Sequence, residues 1–174
     1  MRKSGTLAIL AGAAALALST TAFAAETGGC ESFAWPLTTE LQWMKAADTE
    51  AVASGAKLPA PPAKAISFSL EPMNAITFPV KPTGRLKPKG DVYGGVVTFE
   101  NVGPPGVYQI SLHTGGWVDV VQNGKALRSA AHSGKSDCDA IRKSVRFNIG
   151  AGPVTIEFSN MKNDAIKFAI RHAD

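Results

Sequence analysis

Cysteine, histidine and charge are all scarce in this chain. Of 174 residues only two are Cys and three are His, and Asp, Glu, Lys and Arg together make up 18%. The two Cys do not form a C-x-x-C pair, which argues against a redox or metal-binding thiol site. No G-x-S-x-G elbow and no Gly-rich loop leading into a helix occurs, so neither nucleophilic hydrolysis nor phosphate binding has a motif to stand on. Basic residues are not gathered into a block interleaved with aromatics, which removes nucleic acid as a partner. Beyond the N-terminus no run approaches ~20 apolar residues, so no integral membrane segment is expected in the mature chain.

What is present begins with an export signal. Arg2 and Lys3 precede an apolar run from Leu7 to Leu18, and Ala22-Phe23-Ala24 follows as an A-x-A site. Residues 1–24 read as a signal peptide cleaved after Ala24, giving a periplasmic or secreted product. Removing 24 of 174 residues leaves 150, the size of one ordinary domain. The basic count drops from 18 to 16 against 14 acidic residues, a mature net charge of about +2. In an oxidising compartment Cys30 and Cys138 read as a disulfide. A loop of that length contributes ~4–5 kcal/mol in the chain-entropy view.

Residues 25–63 form an N-terminal segment with a helix and a Pro-rich connector, and residues 64–174 a β-sandwich domain. The helix is expected over residues 40–54, with Thr39 and Gln42 as a capping box, Leu41, Met44 and Ala51 as its apolar stripe, and Gly55 as its stop. Trp35 and Trp43 pack it onto a sheet. Period-two alternation then marks short strands around residues 66–70, 76–80, 96–99, 106–112, 117–121, 145–149, 154–158 and 166–170, with a poorly alternating one at 126–131. Gly115-Gly116 is expected to turn a hairpin between the strands at 106–112 and 117–121, and Asn123-Gly124 to turn the next. The pattern predicts a mainly β fold, an antiparallel β-sandwich of jelly-roll-like type with one N-terminal helix packed on it.

Candidate site residues fall in two groups. Trp117 and Asp119 are two apart and share a strand face, and His113 across the Gly-Gly turn joins them as a ligand-binding set for a sugar, peptide or other small molecule. His132, Asp137 and Asp139, with Ser133 and Ser136 around Cys138, offer oxygen and imidazole ligands to a metal such as calcium or iron. Lys81 to Gly90 is a basic loop, read as a solvated face.

Three runs carry a resemblance: Gly106-Val107-Tyr108, Trp117-Val118-Asp119-Val120 and Gly150 through Ile156. In these the second half is similar to pre-peptidase C-terminal domains and carbohydrate-binding-module-like sandwiches. The mature chain as a whole resembles a group of small secreted bacterial proteins of unknown role, some labelled homogentisate 1,2-dioxygenase. That label implies a non-haem iron held by two His and a carboxylate. His113, His132 and one of Asp119, Asp137 or Asp139 are the residues on offer, with no H-x-D or H-x-E pair among them. The expected function is a secreted periplasmic binding or accessory protein without catalytic activity. Its partner would be a small molecule, a glycan or an envelope protein. The alternative is a small metal-dependent enzyme of non-haem iron dioxygenase type using His113, His132 and a nearby Asp.

Overall fold

The structure is a computed structural model and describes residues 28–84 and 90–173. The expected signal peptide, and Arg85, Lys87 and Lys89 of the basic loop, lie outside the described residues. Two packed sheets form a β-sandwich with one helix, as the alternation predicts. The first sheet runs in the order β1 (Glu50–Ala53), β3 (Ile66–Ser69), β12 (Ala165–His172), β6 (Gly106–Leu112), β10 (Lys143–Ile149), β9 (Ser129–Gly134). The second runs β2 (Lys57–Leu58), β5 (Tyr93–Phe99), β11 (Val154–Met161), β7 (Trp117–Gln122), β8 (Lys125–Ala126), with β4 (Glu71–Pro72) also pairing β5. Pairing is antiparallel except at one edge of each sheet, where β1 joins β3 and β2 joins β5 in parallel.

The core between the sheets follows directly from the alternation. Ile66, Phe68, Tyr108, Ile110, Leu112, Val145, Phe147, Ile149, Ile166, Phe168 and Ile170 face inward from the first sheet. Val97, Phe99, Val118, Val120, Val154, Ile156 and Phe158 meet them from the second. Phe68, Phe158 and Phe168 form a ring cluster with centroids 4.7–5.7 Å apart, a spacing at which tilted and edge-on rings attract.

Four local expectations need correction. The helix α1 spans Thr38–Lys45, and the residues expected to continue it turn extended at Ala46 (φ −65°, ψ 145°) to form β1. Val52 there is buried in the sandwich core, so tertiary pairing with β3 overrides a helical stripe. The capping box does not form either: Leu37 is the N-cap and no side chain caps the helix. The Gly115-Gly116 turn does not close a hairpin, because β6 and β7 lie in different sheets and the chain crosses the sandwich between them. Gly116 sits at φ 147°, where a Cβ would stand 2.1 Å from Met161 Sδ. The alternating run 76–80 is not a strand but part of an extended strap over the second sheet's outer face. The Asn123-Gly124 turn does form, with both residues at positive φ (53° and 72°), joining β7 to β8.

The N-terminal segment covers the outer face of the first sheet and makes a second, smaller core. Phe33, Trp35, Leu37 and Met44 pack with Ala65, Ala169, Cys138 and Ile141. Cys30 and Cys138 are bonded across 108 residues of sequence, as expected from the compartment argument. Above the sheet, Arg171, Gln109 and Arg146 stand side by side on β12, β6 and β10. Glu40 of α1 drops onto this row, accepting from Arg171 Nε (2.8 Å) and from Gln109 Nε2, while Arg146 donates to Gln109 Oε1. Arg146 also lies over the Trp35 ring, 4.4 Å from its centroid.

Candidate functional site

The second sheet stops short beside β7, and a cleft opens there. β8 pairs only with Val121 and Gln122, and Leu127 N–H makes a last bond to Val120 O. The chain then leaves for β9 on the opposite sheet, so Trp117 to Asp119 has no strand on that side among the described residues. The resulting cleft of about 400 Å³ is lined by Val118, Leu127, Val145 and Phe147 on its apolar walls, by Thr83, Trp117, Asp119 and Lys143 at its polar end, and by the exposed Arg128 and His132 at its rim. Concavities of this size and mixed lining are the usual form of small-molecule sites.

Its polar end is tightly ordered. Asp119 is 4% exposed. Its Oδ1 accepts from Trp117 Nε1 (3.0 Å) and Thr83 Oγ1 (2.5 Å), and its Oδ2 accepts from the Thr83 backbone N–H (2.9 Å). The sequence-predicted pair Trp117 and Asp119 is therefore brought together, through the i, i+2 geometry that suggested it. The indole is not a bare platform, however. Gly84 lies against it so closely that a Cβ there would stand 2.7 Å from Trp117 Cγ, and Lys143 Nζ sits 4.8 Å from the ring centroid. Lys143 also donates to Gly116 O (3.0 Å). Burial pushes the Lys143 amine below the usual lysine range, and Asp119 partly opposes this.

Behind Asp119, Glu157 of β11 stands directly across the strand pair. Glu157 Oε1 accepts the Val80 backbone N–H (3.0 Å), so Asp119 and Glu157 together hold the strap that carries Val80 and Thr83. Among the described residues Glu157 Oε2 has no hydrogen-bond partner, nor does its buried neighbour Ser159 Oγ. Burial raises the Glu157 carboxyl pKa, the Val80 amide lowers it, and the Asp119 charge raises it further.

The other predicted residues are dispersed. His113 follows β6 on the outer face of the first sheet, where its Nδ1 accepts the Lys167 backbone N–H (2.8 Å), and it shares a shallow depression with Asp139. His132 lies on β9 rather than in a loop, and it pairs with Val145, whose side chain faces the cleft. Residues paired across a ladder share a face. His113 and His132 therefore occupy opposite faces of one sheet and do not converge on a metal with a common carboxylate. Asp137 accepts the Gly29 backbone N–H (2.7 Å), fixing the N-terminal segment beside the disulfide. Among the described residues no group of three or more His, Cys, Asp or Glu is placed to hold a metal ion, so the donor set that the dioxygenase resemblance requires is not assembled.

Sequence reasoning missed Lys143 and Thr83. Lys143 was legible: it is in register with Val145, Phe147 and Ile149, a charge on an apolar face. Thr83 was not, because its place depends on a strap whose path alternation does not report. No protein-family model, curated protein or solved structure matches this chain.

Proposed function

We propose that this chain is an exported binding module for a small amphipathic molecule, taken into the cleft between β7 and β9. The observation that carries this reading is the cleft's composition. Apolar walls of Val118, Leu127, Val145 and Phe147 close on a polar end whose groups are fixed by hydrogen bonds rather than free to rearrange. Pre-ordered polar groups reduce the entropy lost on binding. The N-terminal signal pattern and the Cys30–Cys138 disulfide support an oxidising, extracytoplasmic setting.

The test is a ligand-observed NMR screen of small aromatic and aliphatic molecules, run beside the Ser129→Trp variant. Ser129 is exposed and lines the cleft, so an indole there fills the space with little disturbance to the core. Binders of the native protein are expected to lose binding to the variant at an unchanged melting temperature. Binders that persist in the variant, or a screen with none, would sink the assignment.

A further inference from the structure

We infer that the cleft selects a small monoanion, an apolar or aromatic carboxylate, with Lys143 as the residue that reads its charge. This rests on the cleft being the binding site. Asp119, the one carboxylate in the lining among the described residues, has both oxygens engaged by Thr83 and Trp117. It is therefore poorly placed to receive a cationic ligand. Lys143 is differently placed. One of its three N–H bonds goes to Gly116 O and one side lies over the Trp117 ring, while no carboxylate forms an ion pair with it among the described residues. Two donors remain for a ligand.

The surroundings favour the same sign. Arg128 and His132 stand at the rim, Arg128 exposed and without an ion pair among the described residues. An anion is thus drawn towards the mouth and meets a half-buried ammonium at the end of it. Burial already lowers the Lys143 pKa, the mark of an ammonium whose lost hydration is incompletely replaced; a carboxylate supplies what is missing. A single half-buried ammonium, with no helix N-terminus beside it among the described residues and with Arg128 out at the exposed rim, matches a monoanionic carboxylate better than a doubly charged phosphate.

The experiment compares matched acids and alcohols by calorimetry at pH 7: benzoate against benzyl alcohol, and hexanoate against hexan-1-ol. Each is titrated into native protein and into Lys143→Met. Met keeps the length of the side chain and removes a charge that burial disfavours, so the variant is expected to melt no lower than the native protein. Acids are expected to bind the native protein at least ten-fold more tightly than the alcohols, and that preference is expected to disappear in Lys143→Met. Equal binding of acid and alcohol to the native protein, or a preference that survives in the variant, overturns the charge assignment and leaves the cleft standing. Failure of all four compounds to bind the native protein removes the cleft reading and this inference with it.

Discussion

Glu157 shows how a single residue can hold a structure together while working against it. Its carboxylate anchors the strap through Val80, yet it is buried beside Asp119 with one oxygen unpartnered among the described residues. A carboxyl whose pKa is raised on folding favours the native state most when protonated. That contribution is full below the unfolded value of about 4.5 and is lost as pH rises through the raised folded value. Glu157→Gln keeps an oxygen for the Val80 amide and removes the charge. We expect the variant to be more stable than the native protein at pH 7 and to lose part of the decline in stability above pH 4.5. Urea denaturation of both proteins from pH 4 to pH 8 checks this; parallel pH profiles would show that the buried charge is already compensated.

At the level of elements, α1 is too short to owe its stability to helix propensity, since eight residues are marginal alone. It is held by Glu40 seated on the Arg171–Gln109–Arg146 row and by Lys167 Nζ donating to Met44 O at its C-terminal end. Glu40 is fully buried, and removing one partner of a buried pair leaves the other uncompensated. Glu40→Ala should therefore destabilise by about 3–5 kcal/mol, with amide exchange rising first in α1 and on the outer face of β12; an effect confined to α1 would show that the row is self-sufficient. The inward faces of β3, β6, β10, β11 and β12 could be read from Ile, Val, Leu and Phe at every second place, because burial of one face imposes that period. Partner choice could not be read. Ala46 to Ala53 carries a helical stripe and becomes a strand because β3 offers an edge. Residues 76–80 alternate like a strand yet cover a sheet, and their position is set by two carboxylates distant in sequence. The same limit hid Thr83 from the site while Trp117 and Asp119, neighbours on one strand, were visible.

At the scale of the whole molecule, three layers are stacked: the N-terminal segment, the first sheet and the second sheet. The Cys30–Cys138 bond ties the outermost layer down and closes a loop of 108 residues. Reduction is expected to lower the stability by up to ~4–5 kcal/mol, read as a lower urea midpoint with a steeper slope, because the uncrosslinked denatured chain exposes more surface. An unchanged midpoint would mean that the Phe33, Trp35 and Leu37 contacts alone fix this layer. The cleft lies on a different flank, framed by the point at which β8 ends. Its depth is therefore encoded in a count of residues between two sheets and not in any side chain. Three more residues at the end of β8 would let it zip along Asp119 to Trp117 and seal the mouth. A chain with the same core and a longer or shorter hairpin would take a ligand of another length.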